Sequence, residues 1–123
     1  MGDNPGMSTT VLIVDDHAGF RASARRLLEA DGFEVVGEAA DGESGIRSAR
    51  SLRPELVLLD VQLPGIDGFA VARELTQGAR PPAVVLTSTR SDSEFGSLVA
   101  ESGARGFVPK AALSARTLER LLG

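Results

Sequence analysis

Acidic side chains that can bind a cation follow two apolar runs of the sequence. Asp15 and Asp16 come directly after residues 11–14, and Asp60 ends the run that starts at residue 56. Carboxylates that converge at one place repel one another, and a divalent cation relieves the repulsion. Oxygen ligands without cysteine or histidine partners suit Mg²⁺, which keeps several of its waters. These residues therefore predict a magnesium site.

Two hydroxyls and a lysine follow later apolar runs. Thr87 and Ser88 come after residues 83–86, and Lys110 comes after residues 106–109. A metal ion and an ammonium group can neutralise charge on phosphoryl oxygens while a carboxylate attacks phosphorus. The polar residues that follow these runs are therefore suited to phosphoryl transfer.

The elements that must position these residues alternate between apolar runs and amphipathic stretches. This alternation predicts a parallel sheet with helices on both faces. The first, third and fourth runs are apolar throughout, as in strands buried on both sides. The second run is flanked by Glu34 and Glu38, and the fifth contains Pro109, so both suit edge strands. The sequence thus predicts a doubly wound α/β fold, a five-stranded parallel sheet in the flavodoxin-like order 2-1-3-4-5, whose ligands bind at the carboxyl ends of the strands.

Several local signals predict where helices begin. Asp41 and Asp67 are predicted to cap the second and third helices. Ser91 and Glu94 have the spacing of a capping box, which predicts the start of a fourth helix. Its apolar face would consist of Phe95, Leu98 and Val99, and Gly103 would end it.

Length and composition limit the range of functions. The 123 residues, 42% of them hydrophobic, suffice for one domain with a core. We predict a disordered tail over residues 1–8 and the domain over residues 9–123. The net charge of -4 disfavours direct nucleic-acid binding. The absence of cysteine excludes disulfides and Cys-ligated zinc. No apolar run reaches the ~20 residues that span a bilayer, so we expect no membrane contact and a cytoplasmic location.

Taken together, the motifs resemble the receiver domain of bacterial two-component response regulators, the chemotaxis regulators among them. The matching segments are VLIVDD at 11–16, LLD at 58–60, PGxDG at 64–68, LTS at 86–88 and FxxK at 107–110. The resemblance runs from about residue 10 to residue 122. It implies the (βα)5 receiver fold, either as a stand-alone receiver or as part of a larger regulator.

The resemblance implies a role for each residue at the strand ends. Asp60 would accept a phosphoryl group from the phosphohistidine of a sensor histidine kinase or phosphotransfer protein. The metal ligands would be Asp15, Asp16, Asp60 and the backbone carbonyl of Gln62, and the cofactor Mg²⁺. The domain would assist its own phosphorylation and dephosphorylation without being a dedicated enzyme.

Further positions of the family imply how phosphorylation is sensed. Thr87 and Lys110 would bind the phosphoryl oxygens, and the small Ser88 would keep the site accessible. Phe107 would turn inward as Thr87 moves. The surface formed by the fourth helix, fifth strand and fifth helix would then change for a downstream protein partner or for a second copy of the chain in a homodimer. We expect this surface to contain Phe95, Leu98, Phe107 and Leu118.

The sequence departs from the family pattern at two positions. Ala111 follows Lys110 where the family usually has proline, and a cis bond before alanine would cost ~3 kcal/mol, so we expect a trans bond. Phe107 stands where tyrosine is commoner. The Ala111 departure leaves open a receiver-like interaction module that needs no phosphate.

Two further classes of function fit the sequence less well. A Mg²⁺-dependent hydrolase with an aspartyl-phosphate intermediate would carry a second aspartate two residues after its nucleophile, whereas His17 stands two residues after Asp15. A nucleotide- or flavin-binding domain of similar fold would carry a glycine-rich phosphate-binding motif, and the sequence contains none.

Some residues also have plain structural interpretations. Asp15 or Asp16 could cap the first helix, and Thr89 could take the place of Thr87 if the strand register were shifted. His17 is predicted to be a surface or loop residue and not a phosphoacceptor. The charged side chains of the first helix are predicted to form a solvated face, namely Arg25, Arg26 and Glu29.

Overall fold

A computed structural model describes residues 8–90 and 95–123. The predicted tail lies outside the described residues except for Ser8, and so does the predicted capping box of Ser91 and Glu94. The strands are β1 (Thr10–Val14), β2 (Glu34–Ala39), β3 (Leu56–Asp60), β4 (Ala83–Ser88) and β5 (Gly106–Pro109). The helices are α1 (Ala18–Ala30), α2 (Gly42–Leu52), α3 (Gly68–Leu75), α4 (Leu98–Glu101) and α5 (Ala115–Leu122).

The five strands form one parallel sheet in the order β2-β1-β3-β4-β5, which confirms the predicted fold. The three strands predicted to be central are buried almost throughout, and β2 and β5 form the edges. Edge strand β2 also carries a bulge, since its register with β1 shifts between Val11 and Leu12. An edge position tolerates both this bulge and the missing N–H of Pro109.

The alternation of side chains along each strand builds two separate cores. In β1, Leu12 and Val14 contribute to the layer that contains residues of α2 and α3. Val11 and Ile13 point to the opposite face, where they join residues of α1 and α5. Because successive side chains of a strand point to opposite faces, apolar runs without polar interruptions are what a sheet covered by helices on both faces requires.

Helix N-termini follow the predicted caps. The Asp41 side chain accepts a hydrogen bond from Ser44 N–H at the start of α2. The Asp67 side chain accepts one from Ala70 N–H at the start of α3. Neither member of the acidic pair caps α1, because His17 occupies the N-cap position without a side-chain cap bond.

The fourth helix and the surface beside it differ from the prediction. Residues 95–97 form a turn, and α4 includes only Leu98–Glu101. Gly96 has a φ of +56°, a left-handed conformation that interrupts a helix. The prediction that Phe95 lies on this helix is therefore wrong. Leu118 was predicted to lie on the surface formed by the fourth helix, fifth strand and fifth helix. Its side chain is instead fully buried in the core.

Within residues 8–90 and 95–123, no helix has both the length and the apolar character required to cross a membrane.

Candidate functional site

The carboxyl ends of β1 and β3 bring two buried carboxylates together. These strands are neighbours, with Val14 paired to Leu59, so the residues that follow lie side by side. Asp15 is 0% exposed and Asp60 is 3% exposed. Buried charges require a partner, because transfer of an ion out of water costs several kcal/mol.

Lys110 is the cationic partner of both carboxylates. Its Nζ lies 2.7 Å from Asp15 Oδ2 and 3.3 Å from Asp60 Oδ2. The contact with Asp15 is an ion pair without hydrogen-bond alignment, whereas the contact with Asp60 has hydrogen-bond geometry. The Lys110 side chain also lies against the ring of Phe20, with Nζ 4.5 Å from the centroid. Lys110 follows edge strand β5, two strands away from β3, and its side chain contacts acidic residues that include Asp60, fifty positions earlier in the chain.

The unusual segment after β5 does not prevent this placement. Residues Lys110–Ala112 form a short 3₁₀ turn. No cis peptide bond occurs in the described residues, so the bond before Ala111 is trans as predicted. A trans bond at this position is therefore compatible with a Lys110 side chain directed at the acidic residues.

Burial raises the pKa of the Asp60 carboxyl above its ordinary value. The backbone N–H of Gln62 opposes this rise by donating to Asp60 Oδ1 at 3.1 Å. The Asp15 carboxylate raises the pKa further, and Lys110 lowers it. The net upward shift means that the folded chain disfavours the ionised form of Asp60, so added positive charge at this site would be stabilising.

The strand register places Thr87 directly beside Asp60, since these two residues are partners in the β3–β4 pairing. Thr87 is 1% exposed, and its hydroxyl has no hydrogen-bond partner. Ser88 is fully buried, and its hydroxyl accepts from Arg90 N–H at 3.1 Å. Thr89 lies beyond the end of β4, so Thr87 is the hydroxyl residue that the sheet pairs with Asp60.

The acidic residues fit the divalent cation that the sequence predicts. Carboxylate oxygens of Asp15, Asp16 and Asp60, with a ring nitrogen of His17, all lie within 4.8 Å of one another. In the described part of the chain, the buried side-chain polar atoms without a hydrogen-bond partner are Asp15 Oδ2 and Thr87 Oγ1. Both belong to this site. Asp15 Oδ2 is held only by its ion pair with Lys110, and Thr87 Oγ1 has no hydrogen-bond partner. Clustered carboxylate oxygens are the ligands that a hard divalent cation prefers, and the Thr87 hydroxyl is free to donate to a phosphoryl oxygen.

Phe107 is half-buried and belongs to a row of aromatic rings. Its centroid lies 5.6 Å from that of Phe95, which in turn lies 5.5 Å from that of Phe69. In β5, Phe107 precedes Val108, the residue paired with Thr87. The predicted switch residue therefore lies one strand away from the site, packed against the turn that leads into α4.

Sequence reasoning missed an arginine that supports the acidic pair. Arg21 Nη1 donates to the carbonyl oxygen of Asp15 at 2.6 Å, and its Nε donates to Glu38 at 3.0 Å. Arg25 also bonds Glu38, at 2.7 Å, in an exposed contact. Arg26 and Glu29 are exposed as predicted, so the solvated face includes this ion pair with β2. Arg21 and Arg25 are four residues apart and therefore lie on one face of α1. This spacing, together with the acidic residues of edge strand β2, is the sequence feature from which the network could have been predicted.

A glycine permits the close approach of α3 to the end of β3, where Asp60 lies. Gly68 N–H donates to Val61 O at 3.0 Å. A Cβ at this position would lie 2.2 Å from the carbonyl oxygen of Asp60. Gly68 therefore lets the start of α3 lie directly against the Asp60 backbone.

Comparisons with known proteins identify the family to which this chain is similar. The family model described as the response regulator receiver domain matches residues 11–122. The response regulator GacA of Pseudomonas viridiflava is 38% identical over 103 residues, which make up 83% of this chain and 48% of GacA. A protein-glutamate methylesterase/protein-glutamine glutaminase of Alkalilimnicola ehrlichii is 36% identical over 106 residues, 85% of this chain and 27% of that protein.

Solved structures show the same likeness. A two-component response regulator of the LuxR family from Aurantimonas sp. SI85-9A1 superposes with a TM-score of 0.82 and 32% identity. The match covers 91% of this chain and 81% of that chain. The chain spans about half or less of the length of the curated relatives that it matches.

Proposed function

Because the chain belongs to the receiver domain family of response regulators, we propose that it is a phosphorylation-dependent switch with Asp60 as the phosphoacceptor. The observation that carries this proposal is the buried arrangement of Asp15 and Asp60 around Lys110, with the unpartnered hydroxyl of Thr87 in register beside Asp60. The donor is a sensor histidine kinase or a phosphotransfer protein, and the exchange takes place in the cytoplasm.

The transfer exchanges one bond to phosphorus for another. A carboxylate oxygen of Asp60 attacks the phosphorus of a phosphohistidine, and the O–P bond forms as the N–P bond breaks. The electron pair of the broken bond stays on the imidazole nitrogen, which takes up a proton from solvent. Attack of water on the same phosphorus later breaks the O–P bond to Asp60, releases inorganic phosphate and returns Asp60 to its carboxylate form.

Lys110 and Thr87 supply positive charge and a donor to the phosphoryl oxygens. Lys110 already neutralises two carboxylates, so its ammonium can shift toward the phosphoryl group once Asp60 is esterified. The Thr87 hydroxyl gains a hydrogen-bond acceptor that it lacks in the unphosphorylated chain. Both residues would therefore hold the phosphorylated state more strongly than the unphosphorylated one.

The acidic residues would also hold Mg²⁺, through Asp15, Asp16, Asp60 and the carbonyl of Gln62. When bound, Mg²⁺ supplies charge neutralisation to the phosphoryl oxygens and to the clustered carboxylates. Arg21 positions the carbonyl end of Asp15 by its 2.6 Å hydrogen bond.

Movement of Thr87 toward the phosphoryl group would alter the output surface, which consists of α4, β5 and α5 with the turn at residues 95–97. Phe107 turns toward the space beside Thr87 and leaves the ring of Phe95. Leu98, which is 44% exposed, lies on the part of this surface offered to a downstream protein or to a second copy of the chain.

Intact mass spectrometry after incubation with acetyl phosphate and Mg²⁺ tests the phosphoacceptor. We expect a single phosphate adduct in the wild type, no adduct in Asp60→Asn, and none when EDTA replaces Mg²⁺. Asp67→Asn is the matched control, because Asp67 caps α3 and is not a member of the acidic cluster. An adduct that persists in Asp60→Asn would refute the assignment.

The switch needs a second measurement. We expect Thr87→Ala to accept phosphate while the NMR shifts of Phe107 and Phe95 no longer change on phosphorylation.

Light scattering before and after phosphorylation tests the homodimer. If wild type takes no phosphate from acetyl phosphate or from histidine kinases, the phosphate-independent interaction module becomes the better interpretation.

A further inference from the structure

The imidazole of His17 lies against both members of the acidic pair. Nδ1 is 3.2 Å from Asp15 Oδ1 and 3.1 Å from Asp16 Oδ1. The backbone N–H of His17 donates to the same Asp15 oxygen at 2.8 Å, which fixes the residue at the rim of the site. The side chain is 68% exposed, so its contacts with the carboxylates do not come from burial in the core.

These separations match those between neighbouring ligands of one metal ion. Ligands about 2.1 Å from an octahedral ion, and at right angles to each other, lie about 3.0 Å apart. Nδ1 faces one oxygen of each carboxylate, so a cation held by both carboxylates would lie within reach of this nitrogen.

We propose that His17 Nδ1 is a direct ligand of the divalent cation held by Asp15 and Asp16. The ring then carries its proton on Nε2 and adds a neutral nitrogen to the oxygen ligands. This inference rests on the metal site of the proposed function and adds to it a ligand of a different chemical class.

A nitrogen ligand changes which cations the site prefers. Mg²⁺ favours oxygen ligands, whereas imidazole suits Ni²⁺, Co²⁺ and Zn²⁺. His17 therefore strengthens the binding of these transition metals more than the binding of Mg²⁺. The range of ions that the site accepts is thus widened from a hard alkaline-earth ion to borderline divalent ions.

The chain itself makes a direct test possible, because it contains a single histidine. Mn²⁺ is bound to the untagged protein, and pulsed electron paramagnetic resonance measures the coupling of ¹⁴N to the ion. Any imidazole coupling must come from His17. We expect this coupling in the wild type and its loss in His17→Ala.

Calorimetric titration with Ni²⁺ and Mg²⁺ provides the second readout. We expect His17→Ala to weaken Ni²⁺ binding about tenfold or more and Mg²⁺ binding less than about threefold. Asp16→Asn is the contrasting variant, because loss of a carboxylate weakens the binding of both ions.

Two results would overturn the inference while leaving the metal site intact. One is bound Mn²⁺ without ¹⁴N imidazole coupling, and the second is an unchanged ratio of Ni²⁺ to Mg²⁺ affinity in His17→Ala. Failure of wild type to bind any divalent ion would overturn both this inference and the metal dependence of the proposed function.

Discussion

Substitution of Gly68 by alanine tests how closely α3 packs against the end of β3, where Asp60 lies. A Cβ at Gly68 would lie 2.2 Å from the Asp60 carbonyl oxygen and 2.6 Å from Val61 Cα. Both are backbone atoms, and real Cβ contacts are essentially never shorter than 3.0 Å. The start of α3 must therefore move away from the end of β3 by about 0.8 Å, the difference between 3.0 and 2.2 Å.

The cost of this movement can be worked from three contributions. Overpacking against atoms that cannot rotate away costs about 1–3 kcal/mol. Loss of the 3.0 Å hydrogen bond from Gly68 N–H to Val61 O adds about 1 kcal/mol. The better helix propensity of alanine offsets up to ~1 kcal/mol. We therefore expect the free energy of unfolding to fall by about 1–3 kcal/mol, with slower phosphorylation of Asp60 because its backbone is displaced.

Urea unfolding followed by far-ultraviolet circular dichroism measures this change, since the chain has no tryptophan or tyrosine for fluorescence. Gly78→Ala is the matched control, because a Cβ there meets nothing within 4 Å. The control should change stability by less than ~0.5 kcal/mol. If Gly68→Ala unfolds at the same urea concentration as wild type, the argument that α3 lies directly against the Asp60 backbone is refuted.

Three further substitutions give distinct expected results. Gly19→Ala places a methyl group in open space on α1 and should stabilise the protein by roughly 0.5–1 kcal/mol in thermal unfolding. Glu38→Gln should destabilise it at pH 7, because the hydrogen bond from Arg25 lowers the pKa of Glu38. That contribution is present above the unfolded pKa and is lost as the pH falls through the lower folded pKa, so the two urea midpoints should converge as the pH is lowered. Asp60→Asn should stabilise the metal-free protein in EDTA at neutral pH, because burial raises the pKa of Asp60 and so disfavours its ionised form in the folded chain. This advantage should shrink as the pH falls through the raised pKa and the wild-type carboxyl becomes neutral. Equal midpoints for Asp60→Asn and wild type at neutral pH would contradict it.

The sequence by itself determined the sheet and the edge at which the site forms. Short apolar runs that alternate with amphipathic stretches favour strands covered on both faces, and acidic flanks or a proline indicate the edge strands. Because parallel strands end at the same edge, the sequence predicts that the polar residues at the strand ends meet there, namely Asp15, Asp16, Asp60, Thr87, Ser88 and Lys110. The helix caps at Asp41 and Asp67 were equally local, since each needs only a side chain three residues from the N–H it accepts from.

The tertiary structure alone decided how long side chains from distant segments meet. Lys110 reaches Asp15 and Asp60 only because β5 ends beside β4 and the 3₁₀ turn directs the side chain inward. The bonds of Arg21 to Asp15 and Glu38 depend on the packing of α1 against β2. Such contacts depend on rotamers and on distances between elements, which no periodicity in a sequence records.

The output surface shows the same division. The spacing of apolar residues predicted a helix from the capping box onward, but the chain turns at residues 95–97 before α4 begins. In this turn, Phe95 packs between Phe69 and Phe107, and Gly96 has a left-handed backbone conformation. The helix that follows is short. Leu118 likewise fits a helix face by its spacing, yet which face is covered is set by the neighbouring strands. Local periodicity identifies an amphipathic segment, and only the packing of the whole chain decides which side it buries.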